Sequence, residues 1–314
     1  SGANAVGIFC LVMSDNQKNR GLEIACYAVT PLFILLFFAA ISAVLSYIIL
    51  MVAGDVVSMR KMVSKGAQIF LLLSIFPLRH YLKLSWGDIG FAEKNVFFRQ
   101  IGNGLLLGLV TLLPVMLVLY GLEISVYDQA REWTAGKVVI RIALALLLAL
   151  LISFGEEPLF SGILLAGLKR KMWVGLAALL SATYYAAFHF VKTKTHIPYD
   201  ELNIGSGFQL MAEAFSNVMN PEITSAFIAL LVVGLFLATI RIQFKHSIGI
   251  CIGCHAAWVW QIKIGKDFFN TNPDSQYYYL VSSYYDGIVG PLVSVWLALC
   301  ILGYLLWNKY QANP

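Results

Sequence analysis

Charge is what this chain has least of. Asp, Glu, Lys and Arg make up 12% of its 314 residues, about half the share of an ordinary soluble domain. So few charges cannot cover a water-exposed surface of this size, which argues against a soluble enzyme. Cysteine is scarce as well. Of the five (Cys10, Cys26, Cys251, Cys254 and Cys300), four lie in strongly apolar stretches, which excludes the disulfide framework of a small secreted domain. No basic patch exists: the net charge of +5 is scattered over many short loops, so a nucleic-acid surface is excluded. The zinc-protease signature H-E-x-x-H is absent, and so is any internal repeat. No stretch between the apolar runs is long enough for a soluble domain.

What is present is hydrophobic length: 59% of the residues are apolar. A membrane-spanning helix needs about 20 such residues in a row. Runs of this kind lie near 24–53, 101–122, 138–168, 173–191, 223–240, 246–262 and 288–307, with a shorter one near 66–78. The expected fold is an all-α polytopic membrane bundle of about eight transmembrane helices. The opening SGANA reads as a cleavage scar, and VGIFCLVM (6–13) has no basic residue before it, against a signal peptide. The chain then divides into an N-terminal segment (1–23), N-terminal spans (24–137) and a core (138–314). SWGDIGF (85–91) reads as a polar turn at the interface. Two loops are long, 192–222 and 263–287. The second carries five tyrosines, read as interfacial anchors, with substrate contact as the alternative. The short basic loops LKRK (168–171) and RIQFKH (241–246) fall on one side, which the positive-inside rule assigns to the cytoplasm together with both termini.

One run ends oddly. KVVIRIALALLLALLISF leads straight into GEEPLFSG, and the apolar pattern then resumes until Lys169. A charged residue at mid-membrane costs about 2.5–3.5 kcal/mol, so Glu156 and Glu157 are functional candidates. Pro158 removes a backbone donor and is expected to disturb the helix near residue 154, opening a place for water. Adjacent helical residues point about 100° apart. One acid is therefore expected to do chemistry and the other to serve structure or electrostatics. Two histidines also lie in apolar runs: His189, with Tyr185 one turn before it, and His255 in GICIGCHAAWVW. His80, His196 and His246 lie in or beside polar loops and carry no such signal. Residues 251–255, CIGCH, also match the c-type haem attachment motif. The plain reading of Cys251 and Cys254 is small thiols packed between helices.

Taken in order, Glu156-Glu157, then Tyr185…His189, then His255, the chain resembles the CAAX prenyl endopeptidase and bacteriocin-processing family, also called Abi proteins. The motif match covers about 155–260. The resemblance implies an eight-helix intramembrane endopeptidase whose core is 138–314, multi-pass in a prokaryotic inner or plasma membrane, acting on a membrane-tethered protein or peptide. It implies Glu156 as the general base that activates water, His189 as the group that holds this water, His255 as oxyanion stabiliser and Glu157 in support. A metal-free mechanism is expected. If zinc takes part, its ligands would be Glu156, His189 and His255. Three positions depart from the pattern: Ser161 replaces the usual Arg, Tyr185 the usual Phe, and Val259 the usual Asn or Asp, with Gln261 as a nearby polar substitute. Three rival readings follow: a non-catalytic membrane partner or immunity protein on the same fold, a haem or redox membrane protein through CIGCH, and a transporter, which repeat symmetry would support.

Overall fold

The computed structural model describes residues 20–312. The expectations placed on SGANA, VGIFCLVM and Cys10 fall outside them. In chain order the elements are α1 (Arg20–Ala53), α2 (Met59–Tyr81), α3 (Trp86–Ile89), α4 (Lys94–Gly121), β1 (Ser125–Tyr127), α5 (Ala135–Glu157), a π-helical segment (Pro158–Leu164) and α6 (Leu165–Lys169). There follow α7 (Val174–Phe188), α8 (Ser206–Ser216), α9 (Thr224–Gln243), α10 (Ile248–Phe268), β2 (Phe269–Thr271) and α11 (Pro291–Ala312). Seven helical stretches among the described residues are long and apolar enough to cross a membrane. The eighth, α7, has 15 residues, about 22 Å of helix against about 30 Å of hydrocarbon.

The outward faces of these helices carry large apolar side chains, Phe37, Leu106, Leu117, Leu147, Leu151 and Leu306 among them. In water such a surface would drive aggregation. In lipid it is the face turned to the solvent. The chain is an integral membrane protein with an all-α polytopic bundle. Its small two-stranded ribbon pairs Val126 with Asn270 at the ends of α4 and α10. SWGDIGF forms α3, held by a reciprocal cap between Ser85 and Asp88. The loop 192–222 contains the amphipathic helix α8.

The most enclosed span is α10. It lies against α4 along a seam of glycines. A Cβ on Gly253 would meet the Ile101 carbonyl oxygen, and one on Gly104 the Ile250 carbonyl oxygen. Small residues of this kind let two backbones close where lipid offers no hydrophobic drive. Polar ties complete the seam: Trp258 Nε1 donates to Thr111 Oγ1 at 2.9 Å, and Gln261 Nε2 to the Gly108 carbonyl at 3.0 Å. Gly253→Ala is expected to force the helices apart, costing about 1–3 kcal/mol. A lowered melting temperature in detergent checks it, and an unchanged melt would mean the seam has slack.

Pro158 acts differently from expectation. The helix is unbroken at residue 154 and stays α-helical through Glu157. The disturbance comes after the acids. Proline has no N–H for the preceding turn, and residues 158–164 widen into π-helical pairing before α6 resumes. Widening absorbs the missing donor without a break, and such segments cluster at functional sites.

Candidate active site

The two glutamates diverge. Glu157 has no exposed surface. Its Oε1 accepts a hydrogen bond from His255 Nδ1 at 2.8 Å, and its Oε2 accepts one from Ser161 Oγ at 2.6 Å. Glu156 Oε2 is buried and makes no hydrogen bond. It lies 3.9 Å from Nε2 of His189 and 3.9 Å from Nε2 of His255. The four residues singled out in the sequence therefore meet in one cluster. The expected split between the acids is present in its geometry: one carboxylate is fully bonded, and the other has a free, buried oxygen.

His189 is where the shortness of α7 matters. It caps that helix, and its Nδ1 lies 2.8 Å from the Tyr185 carbonyl oxygen. That carbonyl is an orphan of the last turn, and a ring N–H satisfies it. Both imidazoles thus commit Nδ1–H to a protein oxygen and turn Nε2 toward Glu156. Tyr185, 3% exposed, places its hydroxyl 3.5 Å from His255 Nε2.

The spacing bears on a metal. Zinc bonds of about 2.0–2.1 Å across a 3.9 Å pair would subtend about 145°, far from the tetrahedral angle. Hydrogen bonds of about 2.8 Å would subtend about 90°, which a water accommodates. Among the described residues no group of three or more His, Cys, Asp or Glu has metal-holding spacing. The residues as placed do not fit zinc, and no step is routed through it.

A cavity of about 370 Å³ opens onto Tyr185, His189 and His255. Its outer wall carries Lys192, Lys263, Lys266, Tyr285 and Asp286. Burial pushes the Tyr285 phenol well above its ordinary range and Lys192 below its own. Tyr285 therefore stays a neutral hydroxyl at pH 7. Its ring lies 6.3 Å from that of His189. One of the five loop tyrosines thus lines the cavity, which composition alone does not distinguish from an anchor.

Ser161 has a partner, and Gln261 differs from expectation. Ser161 is no bystander, since its hydroxyl anchors Glu157. The cation that approaches this turn is Arg241 of α9. Arg241 Nε donates to the Ser161 carbonyl at 3.2 Å, and its Nη2 to the Ile89 carbonyl at 3.0 Å. Gly90, at φ +111°, leaves room for the guanidinium. Its only sequence signal was a place in the basic loop RIQFKH. Gln261 is tied to the Gly108 and Ala257 carbonyls and does not line the cavity. It cannot substitute for a polar group at Val259.

CIGCH is taken up by packing. Cys251 and Cys254 have no exposed surface, Cys251 Sγ points to the Leu237 carbonyl at 3.6 Å, and His255 belongs to Glu157. Replacing both cysteines by Ala is expected to leave the fold and the Glu156–His189–His255 cluster largely intact. A peroxidase-stained covalent haem band in the parent protein, lost in the double variant, is the result that would reverse this reading.

Residues 138–261 match the model of the family described as type II CAAX prenyl endopeptidase Rce1-like. No curated protein and no solved structure matches the chain. The matched segment holds Glu156, Glu157, His189 and His255, and over that segment the chain is similar to the CAAX prenyl endopeptidase family.

Proposed function

We propose that the protein is a glutamate-dependent intramembrane endopeptidase that hydrolyses a peptide bond near the membrane in a membrane-tethered protein or peptide. The observation that carries this reading is the buried, unbonded Glu156 oxygen between two inward-facing Nε2 atoms. A water there would donate one hydrogen to Glu156 and one to His189. It would accept from His255 when Nε2 carries a proton, with Nδ1–H held by Glu157. Its remaining lone pair is free to attack.

The step balances without a metal. Glu156 takes a proton as the water oxygen bonds to the carbonyl carbon, and the C=O electron pair moves onto oxygen. His255 Nε2–H meets that oxyanion. On collapse the C=O re-forms and the C–N bond breaks. The amine leaves with the proton that Glu156 held. Residues 138–314 would form the proteolytic core, with α4 bracing it along α10. The short basic loops favour a cytoplasmic position for both termini.

The test uses the full chain in liposomes with two quenched-fluorescent probes, a peptide ending in farnesyl-cysteine plus three residues and an apolar leader-type peptide. Cleavage by the wild type and none by Glu156→Gln supports the reading. Equal cleavage by both overturns it. A wild type that cleaves neither, while binding either peptide, favours a non-catalytic partner on the same fold.

A further inference from the structure

The geometry points to the Tyr185 hydroxyl as a second oxyanion donor, completing the site with His255, an inference that rests on the proteolytic reading above. A developing oxyanion is best met by preorganised donors, and the donors around the cavity can be counted. His189 Nδ1–H is committed to a carbonyl. Trp258 Nε1–H is committed to Thr111 Oγ1, and Trp296 Nε1–H to the Thr111 carbonyl. Lys263 and Lys266 stand two to three turns along α10 from His255, about 12–16 Å by helical rise. Lys192 lies over the Tyr285 ring at 5.1 Å. Val259, on the same wall as His255, offers no donor at all.

Among the described residues the tyrosines Tyr185 and Tyr285 remain, and of the two it is Tyr185 whose hydroxyl lies beside His255 Nε2. Its hydroxyl has a single neighbour within reach, His255 Nε2 at 3.5 Å, longer than a normal hydrogen bond. When Nε2 carries a proton it no longer accepts, and the buried phenol O–H is left without an acceptor. An oxyanion bound at Nε2–H supplies the missing acceptor. The contact then exists in the transition state and not before it, the kind that raises kcat rather than lowering KM. The ring is held in place independently, edge-on to Phe160 at 5.6 Å and against His189 at 4.7 Å. Two departures of this chain from its family pattern thereby become one exchange: the polar group absent at Val259 is present at Tyr185.

Tyr185→Phe removes only the hydroxyl. In the liposome assay with the farnesyl-cysteine and leader-type probes, kcat should fall about 10²–10³-fold. KM and the melting temperature should stay as in the parent. Adding Val259→Asn to Tyr185→Phe should restore at least about tenfold of the loss, a rescue that a purely structural role would not give. Wild-type kcat in Tyr185→Phe overturns the role, as does a loss confined to KM or to the melt. So does the same kcat loss in Tyr285→Phe with Tyr185→Phe unaffected. A wild type inert on both probes sinks the proteolytic reading itself and this role with it, an outcome distinct from an active wild type indifferent to Tyr185.

Discussion

Glu156→Gln should lose proteolysis about 10²–10⁴-fold, the usual worth of a general base, while melting like its parent. Both halves follow from the same oxygen. Glu156 Oε2 makes no hydrogen bond, so replacing the carboxylate breaks none there. Its neighbours, the two Nε2 atoms at 3.9 Å, are too distant to be direct partners and near enough to share a water. An amide cannot accept the proton that water must give up. Rates and thermal melts of the two proteins check this together. A fully active, well-folded Glu156→Gln would remove Glu156 from the chemistry.

The neighbouring residue should behave in the opposite way. Glu157→Ala is expected to destabilise the fold by about 3–5 kcal/mol, the cost of removing one partner from a buried pair. It would strand the buried His255 Nδ1–H and Ser161 Oγ without their carboxylate acceptor. Glu157→Gln is the informative contrast. Its amide oxygen can still accept from His255 and its N–H₂ can still reach Ser161, so most stability should return. The carboxylate that accepts from His255 Nδ1–H would be gone, and activity should stay low. Melting temperatures in detergent separate the two variants. Equal melts for Glu157→Ala and the parent would mean that the pair contributes nothing to the fold.

The helices were legible because a lipid-facing span must be long and apolar, and that pattern survives without any knowledge of partners. Even the weak run near 66–78 belongs to a full helix, α2. That Glu156 and Glu157 face different surroundings was also legible, since adjacent helical residues cannot face the same way. What the sequence could not convey were distances between remote segments. Glu157 and His255 are 98 residues apart, and nothing local to either announces the 2.8 Å contact. Ser161 looked like a lost charge until its hydroxyl was seen on Glu157. Arg241 looked like a topology signal until its guanidinium was seen on the Ser161 carbonyl. The effect of Pro158 was misplaced for a different reason. A missing donor can be absorbed by widening as well as by breaking, and only packing on both sides decides which.

The 98-residue separation also bears on how the protein is made. Membrane helices enter the bilayer in the order of their synthesis, and α5 is made long before α10. At about 5–20 residues per second, the ribosome needs about 5–20 s to reach His255 after it has passed Glu157. For that interval Glu157 has no imidazole to receive it, although His189 of α7 has already been made beside Glu156. Glu157 must be kept within reach of water at the insertion site until α10 arrives. The pair that holds the finished protein together is thus an assembly debt of the nascent one, and it is cleared only when the most enclosed helix slides in against α4.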